Sequence, residues 1–155
     1  MSDGRRDELG FYLLAGGATS PAALLDEARD GEALGLGTAF ISERYNVKEA
    51  ATLAGAAGAV TSEVRIATAA TNHNTRHLLV TASHAMTMHK LTGGRYVLGL
   101  GRGIPLMQEA FGIPRITTAQ MEDAAGLLRR LWKGEVILGH DGPAGSWPLL
   151  HLGSE

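Results

Sequence analysis

What most limits the fold of this chain is a rhythm of short apolar runs. Phe11–Leu14, Thr38–Ile41, Val64–Ala69 and Tyr96–Leu100 recur at a spacing of one βα unit, each followed by a stretch with helical signals. Nearly continuous apolar strands that alternate with helices call for a parallel sheet covered by helices, because such strands need both faces buried.

The helix boundaries are marked by residue chemistry. Ser20 as N-cap and Pro21 in the first helical position open the first helix, and Gly35-Leu-Gly37 stops it. Asn46 with Glu49 three residues on has the capping-box spacing for a second helix. The third is expected to start near His77 and run past Leu78, Leu79, Ala82, Met86 and Leu91 to the pair Gly93-Gly94. Thr117 and Gln120 open the fourth, which places Met121, Ala125, Leu128 and Trp132 on one stripe before Gly134. Beyond Gly134, Val136–Leu138 and Leu149–Leu152 flank a turn-rich segment, His140-Asp-Gly-Pro143, and predict an antiparallel hairpin outside the βα rhythm.

The chain has 155 residues, whereas a closed eight-unit (β/α) barrel takes about 250. Four βα units and a hairpin, one domain over residues 1–155, are what the pattern supplies. A formal charge of −2 without runs of like charge gives no reason to expect nucleic acid or membrane as partner. There is no cysteine, so disulfides, thiolate metal sites and a thiol nucleophile are excluded. The polar segment Met1–Leu9 lacks the apolar core of a secretion signal, and Ala50–Val60 is too short and too glycine-broken to span a bilayer, so a cytoplasmic location is expected.

Three segments carry candidate chemistry. Ile66 to His77 passes from a buried strand through Thr71, Asn72 and His73 into a helix start, which puts these residues at the carboxyl end of a parallel strand, where ligands bind in such folds. Equally, Asn72 can make a turn and Asn74 and Thr75 can cap a helix. In Gly94 to Gly103 the glycines allow a ligand or another backbone to come close. A dinucleotide fingerprint is not formed there, since Ile104 stands where the third glycine would be. Glu43 and Arg44, at the carboxyl end of the second strand, set a carboxylate beside a guanidinium, although adjacent surface charges are often simply solvated. His73 and His77 straddle a loop and a helix start without a third ligand, so no metal is expected.

Thr71-Asn-x-x-Thr-Arg-His77 followed by Gly93-Gly-Arg-Tyr-Val-Leu-Gly-Leu-Gly-Arg-Gly103 resembles the third- and fourth-strand signatures of the luciferase-like monooxygenase superfamily, in particular its deazaflavin-dependent branch. The resemblance implies the N-terminal half of a TIM-like (β/α) barrel that binds coenzyme F-420, or alternatively FMN, at the carboxyl ends of its strands. It implies hydride transfer between reduced coenzyme and a small organic substrate, with an FMN-dependent two-component monooxygenase as the alternative. By the same resemblance Ala69, Ala70 and Thr71 back the cofactor ring, with a non-prolyl cis peptide at Ala69–Ala70, and Asn72, Gly101 and Arg102 line the cofactor pocket. Glu43 and Arg44 stand where several deazaflavin members carry an Asp-His pair. Arg44 is permanently charged and suited to orient an anion, which leaves Glu43 as the proton donor or acceptor. A half barrel leaves strand edges unpaired, so the chain is expected to be inactive alone and to form homo-oligomers. From a different class comes a catalytically silent binding or assembly module.

Overall fold

The computed structural model describes residues 6–15 and 20–153, with only the backbone described at Arg6. Its elements run β1 (Arg6–Tyr12), α1 (Ala23–Ala33), β2 (Leu36–Ile41), α2 (Ala50–Val60), β3 (Arg65–Thr68), a 3-10 turn (His73–Thr75), α3 (Leu78–Leu91), β4 (Tyr96–Val97), α4 (Pro105–Ala110), α5 (Thr118–Trp132), β5 (Ile137–Gly142) and β6 (Gly145–Leu150). The four strands β1 to β4 pair in parallel in sequence order, and β5 with β6 forms a separate antiparallel sheet. The fold class is therefore α/β with four parallel strands, each followed by helix, and a hairpin outside the sheet. The sequential order excludes the reversal of a doubly wound nucleotide-binding sheet.

The chain divides into two compact units, residues 1–71 with 87–100, and residues 72–86 with 101–155. The first holds the parallel sheet. Its core is built from Leu13, Leu24, Ala28, Ala39, Ile41, Leu53, Ala57 and Ile66, all buried. Small residues let the strands approach, for a Cβ at Gly37 would lie 2.0 Å from the Asp7 carbonyl oxygen.

Two charged side chains bind this unit together. Arg95 donates to the carbonyls of Gly58, Thr61, Val64 and Thr92 and to Thr61 Oγ1, at 2.7 to 3.3 Å, so one guanidinium gathers the carboxyl ends of α2 and α3. Glu32 accepts from the backbone N–H groups of Ser62, Glu63 and Val64. Burial raises the Glu32 pKa, but the hydrogen bonds from Val64, Glu63 and Ser62 outweigh it and hold the group below its ordinary value.

The second unit contains α4, α5 and the hairpin. Its core comes from Ala124, Leu127, Leu128 and Leu131 of α5 with Ile116, Ile137 and Leu150. Trp132 Nε1 donates to the Ala82 carbonyl at 3.1 Å. Asp123 Oδ2 pairs with His140 Nε2 at 3.0 Å and accepts from Ala144 N, while His140 stacks on Trp147.

Several boundaries differ from the sequence reading. β1 begins earlier, at Arg6, because it is an edge strand whose side chains from Asp7 to Leu9 are exposed. α1 starts after Ala22 rather than at Pro21, since Ser20, Pro21 and Ala22 carbonyls accept from residues three ahead and make a tighter opening turn. Asn46 does not cap α2: Glu49 is the N-cap, its carboxylate accepting from Ala51 N and Thr52 N. The Thr117–Gln120 capping box is formed as expected, but the buried stripe of α5 is Ala124, Leu127, Leu128 and Leu131. In α3 Leu91 is exposed, and Leu78, Ala82, Ala85 and Met88 are buried. β4 is two residues long, and α4 had no counterpart in the sequence reading.

Candidate active site

The carboxyl ends of β1, β2 and β3 meet in the first unit. The peptide Ala69–Ala70 is cis, as the resemblance implied. Three backbone bonds hold it in place: Ala69 N donates to Ile41 O at 2.7 Å, Glu43 N to Ala70 O at 3.1 Å and Thr71 N to Gly99 O at 2.9 Å. Tyr12 Oη donates to Ala69 O at 3.4 Å. Ala69 and Ala70 are half-buried and themselves contribute only methyl groups and backbone to the end of β3.

Glu43 is tied to this strand end twice, by its N–H and by its carboxylate. Oε2 accepts from Thr71 Oγ1 at 3.0 Å, and Oε1 accepts from Ala50 N at 3.2 Å, at the start of α2. Thr71 is buried at 2% exposure, so its hydroxyl serves Glu43. Arg44 is exposed and opens the turn to Lys48, with Arg44 N donating to Lys48 O.

Lys48 was not singled out in the sequence. It is buried at 7% exposure, and its Nζ donates to Leu13 O at 3.3 Å and Leu14 O at 2.8 Å. Leu14 has φ of 52°, and its N–H donates to Glu27 Oε2 at 2.6 Å. Burial, helped by the Arg44 charge, pushes the Lys48 pKa down, against the pull of Glu27. A lone lysine between Val47 and Glu49 gives no sequence signal for this role.

Gly99 answers which close approach the glycine segment permits. A Cβ there would lie 2.0 Å from Thr68 O, and Thr68 Oγ1 exchanges hydrogen bonds with Gly99 O and N, so a second backbone fills the space.

Asn72, Gly101 and Arg102 belong to the second unit. Asn72 is buried, and its Nδ2 donates to Gly101 O at 2.7 Å. Arg102 is exposed; its Nη1 donates to Thr118 Oγ1 at 3.3 Å, and its carbonyl accepts from Gln108 Nε2 at 2.7 Å. Gln108, fully buried on α4, is another residue the sequence reading missed; Gly103, with φ of 73°, leaves room for its amide. His73 is buried, which depresses its pKa. No group of three metal-ligating side chains is found among the described residues.

A parallel α/β sheet whose strands end in polar, hydrogen-bonded loops defines an α/β protein with its candidate site at the strand carboxyl ends. The luciferase-like monooxygenase family model matches residues 8–148, and the chain belongs to that family. It is 32% identical over 96 residues to the 5,10-methylenetetrahydromethanopterin reductase of Methanopyrus kandleri, covering 62% of this chain and 27% of that protein. Among solved structures it is similar to an F-420-dependent secondary alcohol dehydrogenase in complex with an F-420–acetone adduct, with a TM-score of 0.78, 21% identity and coverage of 93% of this chain and 47% of that one. The oxygenating constituent of 3,6-diketocamphane monooxygenase from Pseudomonas putida, in complex with FMN, gives 0.72 at 21% identity, over 90% of this chain and 42% of the other. The chain thus spans less than half the length of these relatives, whose barrels extend beyond it.

Proposed function

We propose that this chain forms the coenzyme-facing part of a deazaflavin-dependent oxidoreductase acting on a small organic substrate. The observation that carries this reading is the double attachment of Glu43 to the end of β3, beside the bare Ala69–Ala70 backbone. A strand end that contributes only methyl groups and backbone suits a flat ring, and a carboxylate held at its margin suits a proton transfer. The reduced coenzyme supplies a hydride when bound. Glu43 holds or releases the proton that the substrate exchanges, while Thr71 and the Ala50 N–H fix the carboxylate's orientation. Arg44 keeps its charge throughout and orients a negatively charged substrate group. For Asn72, Gly101 and Arg102 the role of cofactor contacts rests on the family.

The second reading is an FMN-dependent two-component monooxygenase, favoured by Arg44 in place of the histidine of the deazaflavin pair. Titration of the chain with coenzyme F-420 and with FMN, followed by cofactor fluorescence, separates the two. Saturable binding of coenzyme F-420 in preference to FMN supports the proposal, tighter FMN binding supports the alternative, and binding of neither removes both.

A further inference from the structure

In the second unit, two buried amides hold the segment Gly101-Arg102-Gly103. Asn72 Nδ2 donates to Gly101 O and Gln108 Nε2 donates to Arg102 O, both at 2.7 Å. Asn72 is 5% exposed and Gln108 is fully buried. A Cβ on Gly103 would lie 2.9 Å from Gln108 Nε2 and 3.2 Å from Asn72 Nδ2, so both amides close on one glycine, whose φ is 73°. A residue without a side chain leaves them room.

These bonds act on the residue between them. The Gly101 and Arg102 carbonyls belong to the two peptide planes that flank the Arg102 Cα. Each plane is rigid, so holding both fixes φ and ψ of Arg102, and with them the direction in which its side chain leaves the backbone. The Arg102 side chain is exposed, and its Nη1 reaches only to Thr118 Oγ1 at 3.3 Å. Its aim is therefore set at the backbone.

The support is itself anchored on α4. Gln108 N donates to Ile104 O at 3.0 Å, and Gln108 O accepts from Ile113 N at 2.8 Å. Gln108 Oε1, by contrast, is buried without a hydrogen-bond partner. An apolar side chain of similar volume would fill this place without the cost of that unpaired oxygen. Packing does not account for an amide here, whereas its donor to Arg102 O does.

We infer that Gln108 is a positioning residue for coenzyme binding, which acts through the Arg102 carbonyl to set the backbone from which Arg102 reaches the coenzyme. This rests on the proposed role of Arg102 as a coenzyme contact.

Titration of the full chain with coenzyme F-420 tests it. Gln108→Met keeps the volume and removes the donor, and is expected to weaken binding about tenfold with a cooperative melt retained. Gln108→Glu separates positioning from packing, because the introduced carboxyl donates to Arg102 O only while protonated, a form that burial favours. Its affinity relative to the unsubstituted chain is expected to be down about tenfold near pH 8 and to recover as pH falls toward about 5. The Gly103 amide nitrogen resonance, which reports the peptide that Gln108 holds, is expected to move with the same midpoint in that variant, with or without coenzyme. In an Arg102→Met background, Gln108→Met is expected to add no further loss, as for two residues that act through one contact. The inference is overturned if Gln108→Met binds as well as the unsubstituted chain, if the losses add independently in the double variant, or if the Gly103 resonance of Gln108→Glu ignores pH. Failure of the unsubstituted chain to bind either coenzyme F-420 or FMN is a different result. It overturns the proposed function and with it the coenzyme part of this inference, while the Gly103 resonance still decides whether Gln108 holds the loop.

Discussion

Glu32 shows what one side chain contributes when it replaces missing secondary structure. The turn between α2 and β3 exposes three consecutive N–H groups with no backbone acceptor in reach, and a carboxylate from α1 takes all three. Its folded pKa lies below the unfolded value, so the stability it adds is fully present above about pH 4.5 and is lost as pH falls through the folded pKa. Glu32→Ala is expected to lower stability by about 1 to 2 kcal/mol at neutral pH and to flatten the acid limb of the stability curve, which urea unfolding at a series of pH values measures. Arg95 is the cationic counterpart. Lysine at that position offers one ammonium where five hydrogen bonds diverge, so Arg95→Lys is expected to cost about 2 to 3 kcal/mol, read as a drop in denaturant midpoint at unchanged slope. At the strand end, Ala70→Leu is expected to weaken cofactor binding by about tenfold or more, whereas Ala59→Leu on the exposed side of α2 leaves it unchanged; fluorescence titration of both tests the ring-facing role proposed for Ala70.

At the scale of elements, what the sequence made legible was whatever rests on local chemistry. The Thr117–Gln120 box, the stop at Gly93-Gly94 with φ of 61° and 89°, and the parallel strand runs follow from capping, left-handed glycine and apolar continuity. What escaped depends on distant partners, on local choices that spacing leaves open, or on elements too short to show a period. Glu49 became the cap of α2 because its own carboxylate reaches Ala51 and Thr52, and the Asn46 spacing alone could not reveal this. Six-residue α4 is too short for periodicity to show, and Gln108 within it is a polar residue whose burial is decided by the Arg102 carbonyl. In the candidate site, Glu43 was visible through its place after β2, but its bond to Thr71 and the Lys48 support of Leu13 and Leu14 join residues 28 or more apart. The hairpin makes the same point: its existence was legible from turn residues, its anchoring was not. Asp123 holds it through His140 and Ala144, so Asp123→Ala is expected to raise amide exchange selectively over residues 137–150, by an opening free energy about 1 to 2 kcal/mol smaller, with α1 and α2 unaffected.

For the whole molecule, the decisive fact is that a four-stranded parallel sheet has two edges. Among the described residues β1 and β4 each pair with a single neighbour, β2 and β3 respectively. Leu9 and Tyr12 on β1 are 54% and 53% exposed, and Val97 on β4 is 48% exposed. Around α4 in the second unit, Ile104 and Leu106 reach 65% and 74%. In a closed barrel the edges vanish, because the first and last strands pair with each other. This chain covers 47% and 27% of two of the luciferase-like relatives to which it was compared, so the same strands have further sequence to meet there. Open edges with apolar side chains are templates for pairing with another chain; on β1 the charged residues Asp7 and Glu8 stand in its first half only, ahead of Phe11 and Tyr12. The chain on its own is therefore expected to associate with itself as concentration rises, and sedimentation velocity over a concentration series measures this directly. Substituting Tyr12→Lys on the β1 edge is expected to shift the distribution toward monomer by placing charge where a neighbouring strand would dock. A compact monomer at all concentrations with a sharp cooperative melt, unaltered by that substitution, would show that the edges are satisfied within the chain and would remove the argument for association.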